Sequence, residues 1–531
     1  MEKTVNLQNR RFRLRIVVPV YPAFNVYSYY AYKTTALGPV CVATSARQLD
    51  SWDVEVIDEN NMRLYGPQSD ERGADHEELQ KARPADVVGF YGGLTSTIPR
   101  LYKIARIYKK KGLITIAGGQ HFVEETALEA LASGIDYLVI GEGEQTIKEL
   151  LCAIEQGGGF DKIRGIIYKR EGRIVRTPAR EQITDFSSLP LPDFSLVRHA
   201  KIDVYPIERI RGCGMDCEFC TVKGKPRPAP VERCIEQIKS LVETRNARSF
   251  FMVDDLFGQQ RDETIRLCNI LRDYQMKIGR RLELGVQIRL DKAKDTELLT
   301  AMRQASITSV AIGFESPIEE ELQAMSKRVR PQDMIQMSHM FHRFGFLVHG
   351  MFIFHYPLKE KLEVPLSIKD KVKRFKRFIK KAKVDTIQVL LPVPLPGTQL
   401  RQRLREENRI YPLEDLGWEY YDGNFPLFEP EAPYRPEDMQ EAIKKIMSKF
   451  YQLKYMFLIF IKIFTLTSVL FFLHNIKSGW RQWYRSWRNY IYRFIGWITI
   501  KGWNKAFKKN RFLDKLEKAK THLKADIGHN T

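Results

Sequence analysis

The sequence predicts two consecutive α/β units, an open doubly wound (Rossmann-like) parallel sheet and then a partial TIM-type barrel, followed by a helical C-terminal region. Three observations carry this. Over residues 14–150, short and almost continuously apolar runs alternate with helix-length amphipathic stretches. Over about 205–395 six more apolar runs repeat the pattern, and after Pro436 the alternation stops. Runs apolar on both faces are strands covered by helices on either side, and strand–helix alternation with short loops builds parallel sheets. A chain of 531 residues also exceeds a single core.

In the first unit the strands are LRIVVPV, VEVID, VVGFY, LITIAGG and YLVIGEG, with helices in IPRLYKIARIYKKKG and EETALEALASG, each closed by glycine. Ligands on such sheets bind beyond the carboxyl ends of the strands. The loops there are Gly92-Gly93-Leu94-Thr95-Ser96, Gly118-Gly119-Gln120-His121 and Gly141-Glu142-Gly143-Glu144. Glycines at successive strand ends let backbone approach a ligand, although tight turns alone also use them. RGIIYKREGRIVRTP reads as a hairpin turning at Glu171-Gly172, and the proline-bearing SSLPLPDF as a linker. The barrel strands are YPIERI, SFFMVDD, LELGVQI, SVAIGFES, VHGMFIF and TIQVLLPV, whose functional residues belong at their carboxyl ends. The resulting boundaries are 1–160, 161–200 for hairpin and linker, 201–430 for the barrel and 431–531 for the tail.

Seven cysteines are too few for a disulfide scaffold. MEKTVNLQNRRFRLRIVV has no apolar core followed by a small-residue cleavage site, so no signal peptide is expected. The expected location is the cytoplasm, with reduced thiols free for metal binding or catalysis. The net charge of +21 calls for an anionic partner. From Gly479 onward there are 13 Lys/Arg against 3 Asp/Glu, with five of the seven tryptophans. The apolar stretch 456–473 suits a membrane-surface helix, a buried helix or a short span. The aromatic–basic run after it favours peripheral contact with the inner membrane surface. Nucleic acid is not expected as a partner, because no nucleic-acid-binding module is present.

Cys213, Cys217 and Cys220, in RGCGMDCEFC, have the spacing C-x3-C-x2-C directly after a predicted strand. Structural zinc takes four ligands, and no fourth lies near; Cys234 follows only after KPRPAPVER. A [4Fe–4S] cluster takes one thiolate per iron, so three thiolates leave one iron open for a substrate or cosubstrate. Phe219 would shield one side and lower the local dielectric. Asp254 and Asp255 equally suit capping of the next helix, and Arg289 a structural ion pair.

This triplet, with an aromatic before its last cysteine, resembles the radical S-adenosylmethionine superfamily. The resemblance implies that the open iron chelates S-adenosylmethionine and that the reduced cluster cleaves it to a 5′-deoxyadenosyl radical. It also implies contacts to that cosubstrate from Phe219, from Asp254 and Asp255, from Gln287 and Arg289, and from Gly313 and Glu315. Pro394-Leu395-Pro396-Gly397-Thr398 resembles the turn closing the last barrel strand. The first unit resembles the cobalamin-binding domain of one subclass, through GGQH and YLVIGEGEQTIKELL. That implies corrinoid contacts from Gly92, Thr95, Gly118, Gly119 and Glu142. The D-x-H-x-x-G segment that supplies a cobalt-ligating histidine is absent: Asp58-Glu59-Asn60 has asparagine at the histidine position. Hopanoid methylases and an anaerobic magnesium-protoporphyrin monomethyl ester cyclase belong to the subclass resembled. The expectation is therefore cobalamin-dependent methylation of a lipid-like or tetrapyrrole substrate, with an external electron donor. Radical ring closure, RNA modification and a non-catalytic iron–sulfur role are the alternatives.

Overall fold

The computed structural model describes residues 11–62, 65–69, 72–327, 329–359, 366–464 and 476–529. The first sheet contains β1 (Phe12–Val18), β2 (Trp52–Asp58), β3 (Val87–Tyr91), β4 (Ile114–Gly118), β5 (Tyr137–Val139), β6 (Ile166–Arg170) and β7 (Arg173–Arg176). Their order is β2-β1-β3-β4-β5-β6-β7, with β1 to β5 parallel and β6 and β7 added antiparallel. Strand order reverses at β1, which places the switch point of the sheet between β1 and β3. The β6–β7 hairpin turns where expected, with positive φ at Glu171 (50°) and Gly172 (79°), as a two-residue hairpin turn requires. It extends the first sheet rather than standing apart from it.

One buried charge organises this sheet. Arg15 in β1 is fully buried, bonding Glu55 of β2 (2.7 Å), the Tyr108 hydroxyl (3.0 Å) and the Leu79 carbonyl (3.1 Å). Arg83 reaches the other oxygen of Glu55 at 2.7 Å. Such a group is tolerated only with its donors satisfied.

The second sheet contains β8 (Val204–Ile207), β11 (Ser249–Phe257), β12 (Glu283–Ile288), β13 (Ile307–Glu315), β14 (Leu347–Ile353) and β15 (Thr386–Leu390). A short antiparallel clasp, β9 (Ile210–Arg211) with β10 (Arg227–Pro228), closes the base of the cysteine loop. All six strands are parallel, in the order β15-β14-β13-β12-β11-β8, so the barrel is open. Register shifts interrupt β11 between Met252 and Phe257, and β13 between Gly313 and Glu315. Both lie at carboxyl ends, where bulges re-aim side chains. The outer edge at β15 is occupied by Tyr451, whose hydroxyl accepts from the Ile387 N–H and donates to its carbonyl, both at 2.9 Å.

The tail forms helices Pro436–Phe450, Leu453–Phe464, Ile476–Lys508 and Phe512–His529. Its last part is core: Ile500, Trp503, Phe507, Phe512, Leu516, Ala519 and Leu523 are buried. Of the apolar stretch 456–473, residues 456–464 finish a helix and 465–473 lie outside the described residues. Among the described residues no helix is long and apolar enough to cross a membrane.

Replacing Arg15 by Met removes one partner of a buried pair and should cost about 3 kcal/mol. The midpoint of denaturant unfolding measures it; an unchanged midpoint would show that Arg83 alone satisfies Glu55.

Candidate functional site

The cysteine loop is held from three directions. From β11, Asp254 accepts from the N–H groups of Arg209 (2.6 Å) and Ile210 (3.0 Å), and Asp255 from that of Gly212 (2.7 Å). Gln259 donates to the Cys213 carbonyl at 2.6 Å. From beyond β14 and β15, the Tyr356 hydroxyl and Arg403 both bond the buried carboxylate of Glu218, each at 2.6 Å, and Leu400 N–H donates to the Glu218 carbonyl at 3.0 Å. From the first domain, Glu142 bonds Arg211 (3.1 Å) and Arg227 (2.9 Å), which pair with each other across the β9–β10 clasp. Gly212 has φ +84°, and a Cβ there would stand 2.5 Å from the Lys225 carbonyl oxygen, so the loop closes on itself only with glycine.

Cys213, Cys217 and Cys220 are half-buried free thiols. Burial pushes the Cys217 and Cys220 thiols up; Cys213 raises both further, and Cys217 raises Cys220. The Val222 N–H points at Cys220 Sγ (3.4 Å), the kind of bond that tunes a cluster thiolate. Among the described residues no three His, Cys, Asp or Glu side chains close around a single metal ion. Three thiols in one electrostatic neighbourhood fit a cluster, which places its ligands on separate irons.

The other expected residues gather around this loop. Phe219 packs edge-on against Tyr356 (6.0 Å between centroids). Gln287 donates to the Asp255 carbonyl at 3.2 Å. Arg289 is partly exposed, pairs with Asp291 at 2.9 Å and reaches Met215 Sδ at 3.4 Å. Glu315 adopts φ +58° and bonds Lys327 at 2.8 Å, and both charges act on Cys217. A Cβ at Gly313 would fall 2.4 Å from the Glu315 carboxylate, so that glycine makes room for it. Asp254 is turned inward as a backbone acceptor, whereas Asp255 stays half-buried beside the loop.

In the first domain the glycine loops interlock. Gly92 N–H donates to the Gly118 carbonyl (2.8 Å) and His121 N–H to that of Gly92 (2.9 Å). Gly119 has φ +124°, and a Cβ there would lie 2.7 Å from the Gly92 backbone. Thr95 is buried with its hydroxyl 3.3 Å from His121 Nδ1. At the switch point a cavity of about 130 Å³ is lined by Tyr21, Thr35, Asp58, Asn60, Tyr91 and Thr97 among others. Cavities of about 150 Å³ admit a benzene ring. Asn60 is woven into the loop after β1, accepting from Tyr21 N–H (3.0 Å) and donating to the Pro19 carbonyl (3.2 Å). His76 is engaged at both nitrogens by Tyr108 (2.9 Å) and Glu59 (3.2 Å). His121 is buried, and burial lowers its basicity to a pKa of about 3. Cleared glycine loops beside an aromatic-sized cavity fit the aromatic base of a corrinoid's nucleotide tail.

The carboxyl ends of the two sheets face each other. Gln120, beyond β4, meets Thr221, beside Cys220, at 3.4 Å. Glu125 accepts from Gly397 N–H (3.2 Å) and pairs with Arg401 (2.9 Å), and Trp418 donates to Glu129 at 2.9 Å. Glu142, expected among corrinoid contacts, here binds the cysteine loop. Burial opposes its ionisation, but bonds from Arg227 and Ile183 and the charge of Arg211 overcome this and hold its carboxyl below the ordinary value. Sequence reasoning missed Glu218, Tyr356, Arg403, Gln259 and Lys327. A carboxylate set between two cysteine ligands was the visible signal for Glu218.

Residues 26–151 match the B12 binding domain family, and residues 207–364 the radical SAM superfamily. An uncharacterized methyltransferase of Pyrococcus horikoshii is 27% identical over 428 residues, 78% of this chain and 87% of that protein. The hopanoid C-2 methylase of Rhodopseudomonas palustris is 24% identical, aligned over 68% of this chain and 63% of its own length, under two thirds. A solved structure of the radical S-adenosylmethionine methyltransferase TsrM from Kitasatospora setae, with cobalamin and a [4Fe-4S] cluster bound, superposes with a TM-score of 0.61. It is 16% identical and covers 82% of this chain and 88% of that one, a likeness of fold.

Burial pushes the Asp254 carboxyl up to about 7 from its ordinary 3.8, against the two N–H bonds it accepts. The folded protein therefore keeps a proton that the unfolded chain releases, and stability falls as pH rises through that window. The Asp254→Asn variant should lack this slope in unfolding measured against pH, and an unaltered slope would place its origin elsewhere.

Proposed function

From a chain that joins a B12 binding domain to a radical SAM domain, and so belongs to the radical SAM superfamily, we infer a cobalamin-dependent methyltransferase acting on an unactivated carbon of a hydrophobic, lipid-like or tetrapyrrole small molecule. The observation that carries this reading is the Gln120–Thr221 contact, where the corrinoid-side loops meet the cysteine loop. When bound, the cluster would deliver an electron from an external donor to cleave S-adenosylmethionine to the 5′-deoxyadenosyl radical, and cobalamin would carry the methyl group.

The chain's own residues bind, orient and shield. Cys213, Cys217 and Cys220 would hold three irons and leave the fourth for the cosubstrate. The Glu315–Lys327 pair beside Cys217 offers one charge of each sign to a zwitterionic amino acid. Asp255 and Gln287, linked through the Asp255 carbonyl, line the same side, and Arg289 stands at its partly exposed rim. Phe219 and Tyr356 cover the other side against water. Gly92, Thr95, Gly118 and Gly119 shape the opposing face. A hydrophobic substrate is supported by the hopanoid methylase relative and suits a cytoplasmic enzyme peripheral to the inner membrane. Ring closure without methyl transfer is the second reading, favoured by the engagement of His76 and the burial of His121, the two described histidines of the first domain.

Anaerobic reconstitution followed by assay for 5′-deoxyadenosine tests the enzyme. Wild type should produce it, and Cys217→Ala should fall to background. A full cluster with no cleavage would overturn the proposal. Loading with hydroxocobalamin should give a corrinoid absorbance that Gly119→Ala weakens, because the added Cβ meets the Gly92 backbone. A label from methyl-deuterated S-adenosylmethionine in extracted lipid or tetrapyrrole marks methyl transfer, and an unlabelled cyclised product favours ring closure.

A further inference from the structure

Helices Leu453–Phe464 and Ile476–Lys508 pack on each other, with the rings of Phe460 and Tyr490 6.0 Å apart. Each leaves one face of apolar residues in solvent. On the first are Leu453, Phe457 and Ile461, and on the second Ile491, Ile495 and Ile498, with exposures from 38% at Ile495 to 65% at Phe457. Spacings of three and four residues put each set on one side of its helix. Isolated exposed apolar side chains are ordinary, but six on two adjoining helices form a patch that marks an interaction site.

What surrounds the patch selects its occupant. Lys445 and Lys449 are exposed in the last turns of helix Pro436–Phe450, directly before Leu453. Helix Ile368–Lys381 packs beside that helix and exposes Lys373, Lys376 and Lys380. Burial first, and then the charges of Lys449 and Lys445, lower Lys376 below its ordinary value, which shows the two lysine groups to be neighbours. Lys376, Lys445 and Lys449 have no carboxylate partner among the described residues. The Arg493 guanidinium lies 3.6 Å over the Phe450 ring and links this basic field to the apolar faces. Trp497, half-buried, carries Lys501 at 5.4 Å from its ring.

We propose that this surface docks on an anionic lipid bilayer, with the two apolar faces set into the headgroup boundary and the lysines against lipid phosphates. The proposal deepens the membrane-peripheral reading above and rests on it. A second copy of the chain is disfavoured, because a two-fold contact would bring the same unpaired lysines together. Aromatic, apolar and basic side chains together match the bilayer interface, and among the described residues neither helix is long and apolar enough to span it.

The test is co-sedimentation of the full chain with phosphatidylcholine vesicles, with and without phosphatidylglycerol. Wild type should bind the anionic vesicles. The combined variant Phe457→Ser, Ile461→Ser, Ile495→Ser, Ile498→Ser should lose at least about tenfold in affinity. The variant Lys445→Glu, Lys449→Glu should lose at least about thirtyfold on anionic vesicles. The apolar side chains replaced are each at least 38% exposed and both lysines are exposed, so both variants should stay folded, with a single cooperative melting transition. Both should also make 5′-deoxyadenosine at the wild-type rate, which separates failure of the docking surface from failure of the enzyme reading. Absence of vesicle binding, or binding unaffected by both variants, would overturn the proposal. A wild-type dimer that the serine variant dissociates in light scattering, without vesicle binding, would assign the surface to a second copy instead.

Discussion

The carboxylate of Glu142 is the constraint on which the arrangement of the centre depends. It belongs to the first sheet by sequence and to the second by contact, because Arg211 and Arg227 close the cysteine loop only with its charge between them. Arg211 is further balanced by Glu144 at 2.6 Å and Glu208 at 2.7 Å. A network of this kind is stable when every member is satisfied and costly when one is removed, since the rest are then left as uncompensated buried charge. The distance between the glycine loops of the first sheet and the cysteine loop is thus fixed electrostatically, at two arginines that flank the cysteine triplet.

A second layer of control comes from backbone irregularity. The register shifts in β11 and β13 turn acidic residues towards the loop at the point where each strand ends. Asp254 and Asp255 are consecutive and divide the work: one is buried and fastens the turn before the clasp, the other reaches the loop's first glycine. Glu315 reaches Lys327 from a left-handed conformation that only a crowded strand end enforces. Glu218 completes the anchoring from inside the triplet, so the segment between two cysteines is tied to the far side of the barrel.

The strands of both sheets were legible because parallel strands are continuously apolar, and the cysteine triplet because its spacing is local. The hairpin turn was legible as Glu171-Gly172, but its membership of the first sheet was not, since strand pairing is a non-local choice. What sequence could not supply were the ion pairs between distant residues. Arg211 and Glu142 are 69 positions apart and Arg403 and Glu218 185, so no periodic pattern connects them. Glu142 beside a glycine loop therefore read as a ligand contact, although its partners are arginines of the other domain. The tail divides for a similar reason: composition treats it as one aromatic–basic block, whereas packing buries Ile500, Trp503, Phe507 and Phe512 and leaves Ile491, Ile495 and Ile498 in solvent.

Tyr451 has a consequence for how the molecule is made. Synthesis runs from the amino terminus, and β15 leaves the ribosome with its outer edge open. The side chain that occupies that edge is encoded 64 residues later. Throughout that interval the nascent barrel presents an unpaired parallel strand, the kind of edge on which chains associate wrongly. Completion of the tail ends the exposure, so the last open edge of the barrel closes only when the whole chain has been made.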